Sequence, residues 1–222
     1  MQIKIDLKIF ILGLILLLVN DIKIYIILMI FAMTHEIAHL ITGIILGLKP
    51  KSISILPYGF KILFDVKVKD LNTKIGKGTI LSIKKIIIAL AGPMVNIIFI
   101  IIFWIFKYKI FGITYDYIVY ANMLIAIFNL LPIYPLDGGR VIKEIIHIKY
   151  GTSKSYSMII KITEISISIL SIITSILVLY YKNWLLIIVL LYLWYIAYES
   201  IKIFRIKLIM IRSIAKEKLG KI

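Results

Sequence analysis

The sequence predicts an all-α polytopic membrane protein, with six transmembrane helices and a small cytoplasmic β-hairpin between the second and third. Three observations lead there. The chain of 222 residues is 62% apolar with a mean hydropathy of +1.04. Its apolar residues gather in repeated runs of about 20, the length that crosses a hydrocarbon core. Its basic residues cluster in alternate gaps between those runs, the pattern of cytoplasmic loops.

Composition also excludes classes of function. The chain has no cysteine, so a bound metal would have to use His, Asp, Glu or backbone oxygen, and neither a thiol nucleophile nor a disulfide is available. The net charge of +16 is not that of a nucleic-acid binder, because no aromatic-interleaved basic domain carries it. With the N-terminus inside, only Lys23, Lys107, Lys109 and Lys182 of the 27 basic residues fall outside, so both termini are expected to be cytoplasmic. No repeat or linker divides residues 1 to 222, which read as a single domain.

The apolar runs lie at about 9–19, 24–48, 84–106, 115–131, 162–181 and 184–204. The first is short, and a span there would extend back through Ile3 and Ile5 with Lys4 and Lys8 snorkelling to the interface. No small-residue cleavage site follows it, so it is expected to stay as a span.

The second run contains His35-Glu36-Ile37-Ala38-His39. On a helix, positions i and i+4 share a face, so His35 and His39 can bind one Zn²⁺ while Glu36 reaches a water beside it. Three ionisable groups within a span cost at least a few kcal/mol each unless paired or metal-bound. That expense favours a metal site over chance occurrence of a short pattern.

In the gap 49–83, Ser52–Leu56 and Phe60–Val68 have strand-like composition around the turn Pro57-Tyr58-Gly59. The expected hairpin either covers the membrane surface or pairs with an extended substrate segment. The third run carries Gly92-Pro93, which alone reads as a packing kink, and Asn96, whose amide needs a partner in lipid and can serve an active site. The fourth ends in Asn129-Leu130-Leu131-Pro132-Ile133-Tyr134-Pro135-Leu136-Asp137-Gly138-Gly139. The prolines should break the helix and present Asp137 from irregular backbone. Counting ~1.5 Å per residue from Lys23 and from Asp116 brings His39 and Asp137 to a similar depth in the cytoplasmic half of the bilayer. His147 reads as a solvated histidine in a basic cytoplasmic segment. Glu164 and Glu199 are expected to pair with Lys161 and Lys202, and the basic tail to lie against anionic headgroups.

With His35-Glu36-x-x-His39 in one span and Asn129-x-x-Pro132-x-x-Pro135-x-Asp137-Gly138 after a later one, the chain resembles the site-2 family of intramembrane zinc metalloproteases, over about residues 24 to 145. Gly92-Pro93-x-x-Asn96 adds to the likeness. The resemblance implies Zn²⁺ held by His35, His39 and Asp137, Glu36 as the base, and a membrane-associated protein substrate cut in or near the bilayer. It makes Asn96, Asn129 and Pro135 candidates for substrate binding or oxyanion support. Six spans and short ends look most like the sporulation branch, whose substrate is a sigma-factor precursor and which is restrained by inhibitory membrane proteins. The gap 49–83 has no room for a PDZ domain, and the tail none for the CBS domain usual in that branch. A rival from another class is a non-catalytic metal-binding scaffold or a metal transporter, for which a polar path through the other spans is expected; beyond Asn96 and Asn129 few such residues occur.

Overall fold

A computed structural model describes residues 2–5, 22–56, 59–65, 77–109, 112–182 and 184–219. In chain order these form β1 (Gln2–Ile5), α1 (Ile22–Ile45), β2 (Lys49–Leu56), β3 (Gly59–Asp65), α2 (Lys77–Phe106), α3 (Tyr115–Leu130), α4 (Asp137–Tyr181) and α5 (Leu185–Leu219). Their contacts group into two compact units, Met1–Asn129 and Leu130–Ile222.

In the first unit, α1 shows how an apolar sequence is divided between core and lipid. Ile27, Phe31, His35 and His39 recur every fourth residue and are buried, a ridge that turns slowly about the helix. Ile26, Ile30, Met33, Ile37, Ile41 and Ile44 make the opposite face, exposed and equally apolar. A soluble helix would carry polar residues there, so this outer face suits hydrocarbon. Ile27 and Phe31 pack with Phe103 of α2 and with Ile118 and Ala121 of α3. The Phe31 ring meets Phe99 at 5.3 Å and Phe103 at 6.0 Å, both edge-on. At the other end of α1, Lys84 donates from Nζ to the Leu46 carbonyl at 2.7 Å, placing a cation at the negative end of that helix.

β2 and β3 pair antiparallel from Lys49↔Asp65 to Leu56↔Gly59, with a register shift between Pro50 and Ser52. The hairpin anticipated from composition is therefore present, but as part of a three-stranded sheet. β1 pairs parallel with β2, Gln2↔Ser52 through Ile5↔Ile55. This corrects the expectation that Ile3 and Ile5 extend a first span; backbone pairing claims them instead. The run 9–19 itself lies outside the described residues. Phe64 of β3 lies over Gly43 of α1, where any Cβ would collide with its ring.

Among the described residues, four helical stretches are long and apolar enough to cross a membrane, namely Ile26–Ile45, Thr79–Phe106, Asp137–Tyr181 and Leu186–Ser213, and α3 is shorter. Six spans were expected. The run 9–19 lies outside the described residues, and the 16 residues of α3 are below the ~20 that a perpendicular crossing needs.

In the second unit, the basic stretch 140–161, expected to be a gap between spans, is helical. α4 breaks sharply at Gly151, whose φ of 79° and ψ of 177° are open to glycine and strained for other residues. Ser155 Oγ donates to the Lys143 carbonyl at 2.8 Å. In a straight helix twelve residues span about 18 Å, so the chain folds back at Gly151. The returning limb packs on α5 through Ile159, Ile160, Ile201, Phe204 and Leu208. Glu164 pairs with Arg205 of α5 at 2.8 Å, in place of the expected Lys161.

The contact between β3 and α1 yields a direct test. Gly43→Leu should lower stability by about 1–3 kcal/mol through overpacking, and Phe64→Ala should recover most of the loss. Thermal unfolding in detergent of the two single variants and the double variant measures it; additive losses would show that the ring is not what Gly43 accommodates.

Candidate metal centre

α1 places His35 and His39 one turn apart on its buried ridge, 2% and 4% exposed. Their Nε2 atoms face one another at 3.1 Å. Each ring is oriented from behind. His39 Nδ1 lies 2.6 Å from the Ile88 carbonyl oxygen of α2, which can only accept, so Nδ1 carries a proton and Nε2 is the nitrogen turned toward His35. His35 Nδ1 lies 2.5 Å from Asn96 Oδ1 of α2.

The orientation of the Asn96 amide follows from a second amide. Asn122 of α3 donates from Nδ2 to the Ile118 carbonyl at 2.9 Å, which fixes which end of Asn122 is oxygen. Asn96 then donates from Nδ2 to Asn122 Oδ1 at 2.8 Å, which turns its own oxygen toward His35. Both asparagines are fully buried. The outcome is one tautomer at both histidines, Nδ1–H outward and Nε2 inward.

Two imidazole nitrogens aimed at a common point suit a metal. Tetrahedral Zn²⁺ with Zn–N distances of ~2.0–2.1 Å sets its ligand nitrogens about 3.3 Å apart, close to the observed spacing. The space is kept open by Gly92 in α2. A Cβ there would stand 2.5 Å from Nε2 of both His35 and His39. The neighbouring Pro93 interrupts the α2 hydrogen-bond ladder in the same turn.

In the second unit, residues 131–136 are non-helical, as the prolines require, and α4 begins at Asp137. Asp137 therefore stands in the first turn of a helix, where its charge is favoured, and not on irregular backbone as expected. It is 3% exposed and its Oδ1 lies 3.3 Å from Arg140 Nη1. Three contacts set the approach to it. The Tyr134 N–H donates to the buried Thr163 Oγ1 at 3.1 Å, the Tyr134 ring meets Phe204 at 4.7 Å, and Gly138 lets the α4 backbone lie against the Leu130 carbonyl.

His35, His39 and Asp137 form a group that can hold a metal ion, each offering one ligand atom and all three atoms within 4.8 Å of one another. The other anticipated site residues are distributed as follows. Glu36 follows His35 on α1 and is half-buried. Asn96 engages His35 directly. Asn129 donates from Nδ2 to the Ile125 carbonyl within α3 at 3.0 Å. Pro135 belongs to the turn leading into Asp137, and His147 bonds Thr152 at 3.1 Å, outside the metal group. Sequence reasoning missed Asn122 and Thr163. Asn122 could have been found by the argument applied to Asn96, since it is an amide within an apolar run; Thr163 carries no such signal.

Fold and site define a class: an apolar helical protein whose buried side chains offer two histidines and a carboxylate to one metal ion. Comparison with known proteins agrees. The profile of peptidase family M50 matches residues 109–174. A curated zinc metalloprotease of Methanocaldococcus jannaschii is 30% identical over 136 residues, 59% of this chain; the chain spans only 36% of that relative's length. The solved structure of the site-2 protease from Methanocaldococcus jannaschii is similar at 26% identity and a TM-score of 0.62, over 90% of both chains. Family profile, curated relative and solved structure together support the peptidase M50, or site-2 protease, family.

Gly92→Ala tests the open space between the imidazoles. The added methyl should displace metal with little loss of fold, because alanine is a better helix former than glycine. Zinc content of the purified variant, measured by atomic emission, should fall by at least tenfold; full occupancy would show that the ion binds elsewhere.

Proposed function

We propose that this chain is an intramembrane zinc endopeptidase that cleaves a membrane-associated protein in or near the bilayer. The observation that carries the reading is the buried group His35, His39 and Asp137 with Glu36 adjacent in sequence. Those three residues would hold the zinc, which supplies a Lewis acid able to acidify a water and polarise a carbonyl. The remaining chemistry is the chain's own. Glu36 accepts the proton of the attacking water and returns it to the leaving amine. The bonds to Asn96 and to the Ile88 carbonyl orient both rings so that each Nε2 faces the place the metal would take, and the burial of His35 and His39 limits access of bulk water.

A helical substrate hides its amides in intrahelical bonds and must unwind before a scissile carbonyl is reachable. The β2–β3 hairpin and the stretch from Asn129 through Pro135 to Asp137 are the candidates to hold it extended, by edge pairing and by main-chain contacts. Asn129 keeps amide capacity beyond the one bond it makes, which suits it to support an oxyanion, whereas Asn96 acts behind His35. The positive-inside count favours cytoplasmic termini and a cytoplasmic hairpin. A sporulation sigma-factor precursor is the substrate we favour, with inhibitory membrane proteins as regulators, on the likeness of the His35-Glu36-x-x-His39 and Asn129-to-Asp137 motifs.

Co-expression with candidate membrane-associated sigma-factor precursors tests activity and substrate together. Glu36→Gln should keep its zinc and stop cleavage; normal turnover would remove Glu36 from the mechanism. Asp137→Asn should lose zinc and activity together, because an amide oxygen is a poorer donor to Zn²⁺ than a carboxylate. If that variant kept full occupancy and near-normal cleavage, the third ligand would have to be sought elsewhere.

A further inference from the structure

The chain of amides behind His35 runs through three helices. It begins at the Ile118 carbonyl of α3, passes through Asn122 and Asn96, and ends at His35 Nδ1 on α1. Its direction is not arbitrary. A backbone carbonyl only accepts, so it selects the amide end of Asn122, and each later bond follows by alternation of donor and acceptor.

Asn96 alone could not impose this order. Its side chain has an oxygen and an NH₂ of nearly the same shape, so a flip exchanges acceptor for donor with almost no change in packing. The flipped amide would point N–H at His35 Nδ1, which would have to be the unprotonated nitrogen. The proton would then sit on Nε2, the atom that faces His39, and block it as a ligand. Asn122 prevents the flip, because its own oxygen faces Asn96 and accepts only from the NH₂ end. We infer that Asn122 is a positioning residue for the metal centre: it acts through Asn96 to hold His35 in the Nδ1–H tautomer, leaving Nε2 to bind zinc. This rests on the reading of His35 as a zinc ligand.

The contrast with His39 supports the assignment. His39 bonds directly to a backbone oxygen, which cannot flip, and needs no relay. His35 meets a side chain that can, and the structure supplies a second, fully buried amide whose bonds remove the ambiguity.

The test uses the full-length protein in detergent or bilayers. Asn122→Leu preserves bulk and deletes the relay. Its zinc affinity, measured by competition with a chromophoric chelator, should fall by about 10- to 100-fold, the range typical of removing a group that orients a metal-binding histidine. ¹⁵N-histidine NMR of the zinc-free protein reads the tautomer directly. Wild type should show His35 as Nδ1–H, and Asn122→Leu should show a growing Nε2–H fraction. The decisive arm is rescue. Asn96→Asp presents an acceptor at either oxygen, needs no neighbour to orient it, and should restore both affinity and tautomer in the Asn122→Leu background.

Wild-type affinity in Asn122→Leu, an unchanged tautomer with reduced affinity, or failure of Asn96→Asp to rescue would each overturn the inference, reducing Asn122 to a packing residue. If Asn122→Leu does not fold, the wild-type spectrum decides, since His35 found as Nε2–H contradicts the relay outright. A wild-type protein that binds no zinc while showing the Nδ1–H tautomer would instead sink the metalloprotease reading and leave the relay standing.

Discussion

A carbonyl oxygen can accept a hydrogen bond and never donate one, and the histidine pair is built on that one-sidedness. In water an imidazole exchanges its proton between two nitrogens freely. Against the Ile88 oxygen, with apolar helices around it, the wrong tautomer would set two acceptors face to face and cost about 1–3 kcal/mol. Hydrogen bonds of this kind tolerate shifts of only a few tenths of an ångström, so the helices that carry donor and acceptor must hold register. The aromatic layer of Phe31, Phe99 and Phe103 one turn away from His35 and Asn96, and the Lys84 bond at the end of α1, are what hold α1 and α2 in register.

Lipid sets the complementary constraint. Because the outer face of α1 is as apolar as its inner face, burial cannot be driven by sorting polar from apolar residues, and close packing has to decide which face turns inward. Small residues make that possible. Gly43 admits the Phe64 ring and Gly92 admits the pair of imidazoles, so on both helices the inward face is the one on which a glycine leaves room for a specific partner. The polar residues then follow as the only groups on that face able to satisfy one another.

This explains what was legible in the sequence and what was not. The His35 and His39 face could be read because helical period alone aligns residues four apart. The β2–β3 hairpin could be read because two strand-like stretches flank the turn-forming residue types Pro57-Tyr58-Gly59 in the sequence. β1 was misread as part of a span because Ile3 and Ile5 look the same whether they face lipid or pair with Ile53 and Ile55, some fifty residues away. The stretch 140–161 was misread because lysines suggest a loop, whereas its structure is a helix folded back at Gly151, with Ser155 closing on Lys143. Asn122 is the most instructive omission. It belongs to no motif, and its meaning lies entirely in which groups surround it.

The charges of the metal centre follow from the same surroundings. Asp137 is buried, while the Arg140 side chain that meets it at 3.3 Å is 47% exposed. Desolvating a carboxylate costs several kcal/mol, more than the ~0.3–2 kcal/mol that a helix N-terminus returns, and a half-exposed guanidinium adds little. A divalent cation changes the sum. A carboxylate set beside two histidines is a donor set that offsets part of a divalent charge, which is why His35, His39 and Asp137 suit a metal ion in an apolar interior.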